Sequence, residues 1–134
     1  MARGRKKDKH ILGRMEMRIM GILWDAGSAT CREVFTRLGG DKEYAYTTVL
    51  SMMKHLEKKG VVQHTEDGRA FVYSPTVERE HVEERMLSDF VDSVFFGSAS
   101  SLVNSLLNTA GLDDRDLEEI EEAIRKLREE RGDA

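Results

Sequence analysis

One cysteine and one proline are all that the 134 residues hold of those two types. With Cys31 alone, no internal disulfide can form, and a reducing, cytoplasmic setting is the simple expectation. No apolar run approaches the roughly 20 residues that span a bilayer, so membrane insertion is not expected. The first ten residues, MARGRKKDKH, are basic. No long apolar segment follows them, so they do not read as a secretory signal. A glycine-rich phosphate loop is missing. His10, His55, His64 and His81 lack metal-ligand spacing, so neither a metal nor another cofactor is expected. Internal repeats and low-complexity segments are also absent.

What is present is 40% hydrophobic and 34% charged, enough for a modest core and good solubility. The net charge of −4 hides a split. Residues 1–75 carry 14 Lys+Arg against 9 Asp+Glu, and residues 76–134 carry 7 against 16. A basic front suits phosphate, and an acidic rear does not.

Apolar spacing divides the front half. Met15, Ile19, Ile22 and Leu23, widened by Met20 and Trp24, recur at helical intervals that Gly27 ends. Ser28 and Ala29 suit a very short strand. Thr30 is a helix N-cap, and Glu33 completes a capping box. Val34, Phe35 and Leu38 form that helix's inner face, and Gly39-Gly40 stops it. A third helix is predicted from about Thr47 to Lys59, with Val49, Met52, Met53 and Leu56 in one stripe and Gly60 as its stop. Val61–Glu66 and Ala70–Tyr73 are β-rich runs, and Asp67-Gly68 between them signals a tight hairpin. Pro75 closes the unit.

Three helices followed by a hairpin are the grammar of a winged helix-turn-helix. Its third helix must be slim and polar outside to enter a major groove roughly 12 Å wide. The candidate DNA contacts are Tyr46, Thr47, Thr48, Ser51, Lys54, His55 and Lys58 on that helix, with Arg69 just after the hairpin turn. The small hydroxyls permit close approach, the lysines reach phosphates, and the helix N-terminus favours an anion. Met15, Ile19, Ile22, Trp24, Val34, Phe35, Leu38, Val49, Met52, Leu56 and Phe71 are the expected core. The partner implied is double-stranded DNA.

Past residue 75 the character changes. Val82, Met86, Phe90, Val94 and Phe95 give a long helix starting near Thr76 and broken at Gly97. A shorter one carries Leu102, Val103, Leu106 and Leu107. A third carries Leu117, Ile120, Ile124 and Leu127 at spacings of 3, 4 and 3, an a/d-like seam amid charge. Such narrow stripes do not bury themselves easily in one chain. Phe90, Val94, Leu102, Leu106, Ile120, Ile124 and Leu127 are therefore the dimer candidates. The expected architecture is mainly α with a small β-hairpin wing: a basic arm over 1–11, a winged-helix DNA-binding domain over 12–75, and a C-terminal helical dimerisation domain over 76–134.

The residues also resemble a family. Glu16, Ile19-Met20 and Ile22-Leu23-Trp24 fit the first-helix signature of the BlaI/MecI (penicillinase repressor) family. Thr48-Val49, Leu56-Glu57-Lys58-Lys59-Gly60 and Gly68 to Pro75 continue it. Gly97-Ser98, Ser101-Leu102-Val103 and Leu117-Glu118-Glu119-Ile120 extend it, so the resemblance runs from about Leu12 to Leu127. It implies a homodimeric repressor on a dyad-symmetric operator, with a regulatory protease or sensor protein as a further partner. Three departures stand out. Thr47 and His55 occupy positions where relatives often carry a basic residue, so the operator sequence does not transfer. Family cleavage falls at an Asn-Phe bond, whereas here Asn104 precedes Ser105. The tail from Arg128 has no cysteine, which excludes the copper-sensing motif of related repressors.

Two other classes compete with this reading. Catalysis would need a partner for Cys31, and none is tied to it by sequence; the acidic clusters at 113–116 and 118–122 read as helix-start charge and a solvated face. No enzyme is expected. A winged helix that binds protein, or an architectural DNA-binding module without a specific operator, is the alternative reading, and salt dependence separates it.

Overall fold

The computed structural model describes residues 8–132. Of the basic arm, Arg3, Arg5, Lys6 and Lys7 lie outside the described residues.

Helix α1 spans Arg14–Ala26. The backbone N–H of Gly13 donates to Glu16 Oε1 (2.8 Å), so a side chain inside the helix closes its own first turn. Gly27 ends α1 at φ 83°. A two-residue strand, β1 (Ala29–Thr30), leads into α2 (Cys31–Arg37). The expected capping box is formed: Glu33 N–H donates to Thr30 Oγ1 (3.1 Å), and Thr30 N–H donates to Glu33 Oε1 (2.8 Å). Gly39 follows at φ 110°, and a Cβ there would meet Glu43 Cγ at 2.5 Å. Only glycine fits that bend without displacing Glu43. A single 3-10 turn over Gly40–Lys42, read from sequence as plain loop, precedes α3 (Tyr46–Lys59). Gly60 closes α3 in the left-handed region: its N–H donates to Glu57 O (2.9 Å) and that of Val61 to Leu56 O (3.2 Å). This pair satisfies the last carbonyls and turns the chain into the sheet.

Strands β2 (Val62–Asp67) and β3 (Ala70–Pro75) form the wing. The sheet order is β1-β3-β2, antiparallel throughout. Asp67 pairs with Ala70, so the loop is Gly68-Arg69 and not Asp67-Gly68. Gly68 supplies the positive φ of 64°, as the first central residue of a tight hairpin often does. Pro75 sits in the central strand beyond the reach of β1, which pairs only with Val72 and Tyr73. Its missing N–H therefore costs no β1–β3 ladder bond.

The core gathers Ile19, Met20 and Leu23 of α1, Val34, Phe35 and Leu38 around α2, Val49, Met53 and Leu56 of α3, and Val61, Val62 and Tyr73 of the sheet. Five expected core residues are corrected. Met15, Ile22, Trp24 and Met52 are only partly buried on its rim, because the inner line of α3 runs Val49–Met53–Leu56 and that of α1 runs Ile19–Met20–Leu23. Phe71 is 42% exposed. It lies two residues from Tyr73, on the same strand face but nearer the hairpin tip.

Helix α4 spans Arg79–Val94, starting three residues later than expected. The linker is used for anchoring: Thr76 Oγ1 donates to Gly60 O (2.6 Å), and the Trp24 indole N–H donates to Val77 O (2.9 Å). Val82 is fully buried in the core and Met86 packs against it. The chain divides into two compact units, one ending at Asp89 and the next beginning at Phe90.

In the second unit the end of α4 is followed by α5 (Ala99–Thr109) and α6 (Asp114–Glu130). Ser98 caps α5 by accepting from Ser101 N–H (3.2 Å). Asp113 and Asp116 cap α6 reciprocally, at 2.9 and 3.2 Å. The rings of Phe90 and Phe95 meet edge to face at 5.8 Å. Among the described residues from Phe90 onward, none is buried. No single helix among them is long and apolar enough to cross a membrane.

Candidate nucleic-acid interface

The polar side of α3 is a consequence of its apolar side. At about 100° per residue, a stripe through Val49, Met53 and Leu56 turns Thr47, Thr48, Ser51, Lys54, His55 and Lys58 to the opposite arc. All six are exposed. Lys54 and Lys58 make no salt bridge among the described residues, so their charges are available to an outside anion. Ala45 is the N-cap of α3 and provides no side-chain acceptor. The Thr48 N–H donates to Ala45 O (3.0 Å), and the N–H groups of Tyr46 and Thr47 are left to solvent or to a phosphate.

Two candidates on this helix already have partners within the chain. Tyr46 is half-buried: its ring packs edge to face on Phe35 (5.4 Å), and the Arg32 guanidinium lies 4.3 Å from its centroid. A hydrogen bond with Cys31 and burial raise the Tyr46 phenol pKa. His55 Nε2 stands 3.4 Å from Glu16 Oε2 with its side chain 55% exposed. One edge of that imidazole is tied to α1, and the rest faces outward.

Glu16 is the residue that sequence reasoning left without a physical role. It is 7% exposed and is the one buried charged residue among those described. Lys59 Nζ lies 3.1 and 3.2 Å from its two oxygens and also donates to Ile11 O (3.2 Å). Burial pushes the Glu16 carboxyl pKa up, but the Gly13 N–H, Lys59 and His55 outweigh it, and the group stays ionised to lower pH than an ordinary glutamate. The cluster bolts the start of α1 to the end of α3 and so fixes the angle at which α3 is presented. A glutamate three residues after Gly13, inside an apolar stripe, was the signal that could have found it.

On the wing, Arg69 occupies the hairpin turn itself and is exposed. Behind it Phe71 stacks flat on His64, with centroids 4.0 Å apart and planes 10° apart. His64 Nδ1 is 2.6 Å from Glu57 Oε2 on α3. The wing is thereby tied to the C-terminal half of the helix it flanks. Cys31 is a buried thiol, and burial raises its pKa despite Tyr46 and Arg32. It carries less thiolate than a free cysteine, the opposite of an activated nucleophile. No group of three or more His, Cys, Asp and Glu suited to a metal occurs among the described residues.

None of the apolar candidates of the second unit is buried. Phe90, Val94, Leu106, Ile124 and Leu127 are exposed, and Leu102 and Ile120 are intermediate. Phe96, Val103, Leu107 and Leu117 are exposed large hydrophobics too. Phe96 reaches 92% exposure and holds φ 51°, a left-handed conformation that a phenylalanine adopts only under strain.

Comparison with known proteins gives a consistent result. Residues 12–126 match the family described as penicillinase repressor. The penicillinase repressor of Bacillus licheniformis is 27% identical over 105 residues, covering 78% of this chain and 82% of the relative. The transcriptional regulator BlaI of Mycobacterium tuberculosis is 29% identical over 107 residues, covering 78% of each. Among solved structures, the oxidised form of MarR from E. coli superposes with a TM-score of 0.52 at 15% identity, over 87% of this chain and 75% of that one. The last likeness supports the winged-helix fold and nothing finer.

Proposed function

We propose that this chain, which belongs to the penicillinase repressor family, silences promoters as a homodimer seated on a dyad-symmetric operator. It is a DNA-binding transcriptional repressor and not an enzyme. The observation that carries the dimeric reading is the bare second unit. Exposed large hydrophobics run from Phe90 to Leu127, with no buried residue among those described from Phe90 onward. Some 45 residues without a core do not hold a fold alone, whereas a second copy would cover the same face on both chains.

In this reading α3 enters the major groove. Thr47, Thr48 and Ser51 meet base edges, and Lys54 and Lys58 meet phosphates. Arg69 touches backbone or minor groove from the wing. Tyr46 holds the helix start in place, and His55 supports the helix through Glu16 while its free edge faces the DNA. Two α3 helices about one helical turn apart read the two half-sites. The bound dimer blocks polymerase, which places the protein in the cytoplasm with its operator. A regulatory protease or sensor would act on α5, where Asn104 is exposed but lies within the helix and is followed by Ser105. Cleavage there requires α5 to unwind first.

Recovery of genomic fragments bound by the purified protein at near-physiological salt, followed by sequencing, tests the operator. A shared dyad-symmetric site upstream of a few genes is expected. Sequence-blind recovery would leave an architectural role instead.

A further inference from the structure

Beside the outward face of α3 lies a cleft that the repressor reading touches only at Tyr46 and Arg69. Residues from the start of α2, the first half of α3 and the wing border an open cleft of about 310 Å³. That is the small end of ligand pockets, which run from roughly 300 to 1,000 Å³. Leu50, Ala70 and Phe71 give it apolar walls. Phe71 is held by its flat stack on His64, so one wall is a planar aromatic edge fixed in place. The Tyr46 ring forms part of another wall.

The charge in this cleft has one sign. Arg32 and Arg69 line it, and no aspartate or glutamate does. Neither arginine is in a salt bridge among the described residues; Arg32 rests instead on the Tyr46 ring. A guanidinium without a carboxylate, next to a pocket of aromatic and aliphatic surface, favours a ligand that is flat and apolar with an anionic end. We infer that the cleft binds a small planar aromatic carboxylate, and that its occupancy releases the protein from DNA. The ring lies against Phe71 and Leu50, and the carboxylate meets Arg32 and Arg69. The release half rests on the proposed DNA-binding reading, because a ligand there engages Arg69 and sits beside the first turns of α3.

The probe is 2-naphthoate, titrated into the full chain without DNA and followed by NMR shifts. Saturable binding below about 1 mM is expected, with the largest shifts at Leu50, Ala70 and Phe71. Arg32→Gln and Phe71→Ala, both at exposed positions, should each weaken it about tenfold. The neutral 2-naphthamide should bind about tenfold more weakly than the acid. No saturation, or equal affinity for the amide, overturns the site. In a second arm, 2-naphthoate should displace the protein from a recovered operator duplex, while the Arg32→Gln protein should bind that duplex and resist release. Binding of the probe without displacement overturns the release half. A protein that binds no duplex even without probe overturns the DNA-binding reading and leaves the first arm's result on the cleft standing.

Discussion

The unit ending at Asp89 and the unit beginning at Phe90 are both helical and both amphipathic, yet they solve burial in opposite ways. The first wraps its stripes around one another until Ile19, Met20, Leu23, Val49, Met53 and Leu56 are fully enclosed. The second buries none of its stripe residues among those described. Their ion pairs differ in the same sense. The buried Glu16 meets the largely covered Lys59 and one edge of the exposed His55, joining α1 to α3. Arg125 meets Glu122 and Glu129 on the outer surface of a single helix. The first pair fixes tertiary geometry, whereas the second only supports local helix. Self-sufficiency, and not secondary structure, separates the two regions.

The sharpest test of that contrast is a charge on the bare face. Leu106→Asp is expected to give a monomer whose first unit stays folded, with operator affinity lowered about 100-fold or more, since two half-sites no longer act together. Sedimentation and gel shift read the two effects; a stable, fully active dimer would remove Leu106 from the interface. Next in size is the buried cluster. Glu16→Ala should cost about 3 kcal/mol in urea unfolding by stranding Lys59. Glu122→Ala, at an exposed pair, should leave the urea midpoint in place. Equal effects would erase the distinction between the buried and the exposed pair.

The same cluster has a pH signature. The folded pKa of Glu16 lies below its unfolded value, so its contribution is complete above the unfolded value and is lost as pH falls through the folded one. The stability gap between wild type and Glu16→Gln should therefore hold at neutral pH and begin to close in acid, below the ordinary glutamate value of about 4.5. A gap that widened in acid would contradict the sign. Smaller still are the surface contacts of the first unit. Ser51→Ala should cost about 1–3 kcal/mol at particular base pairs and relax their preference. Arg69→Ala should weaken all sequences alike and lower the salt slope by about 1. Unchanged affinity for Arg69→Ala at moderate salt would remove the wing contact.

Much of this chain was legible before folding because its signals are local. Thr30 with Glu33, Gly60 after two lysines, and glycine at the hairpin announce themselves within a few residues, and each element begins or ends there in the structure. The family, the winged-helix plan and the polar arc of α3 follow from such short-range patterns. The fate of individual side chains depended on neighbours far along the chain. Phe71 has the composition of a core residue but lies toward the hairpin tip. His55 resembles a free recognition side chain until Glu16, 39 positions earlier, is folded beside it.

By itself, then, the sequence determined where helices and strands start and stop, because caps, glycines and apolar spacing act over one or two turns. Only the tertiary structure decided which apolar residues are enclosed, that a buried carboxylate locks α1 to α3, and that α2, α3 and the wing leave a cationic cleft between them. Those outcomes are set by packing between segments distant in sequence, and no local pattern encodes the distance between them.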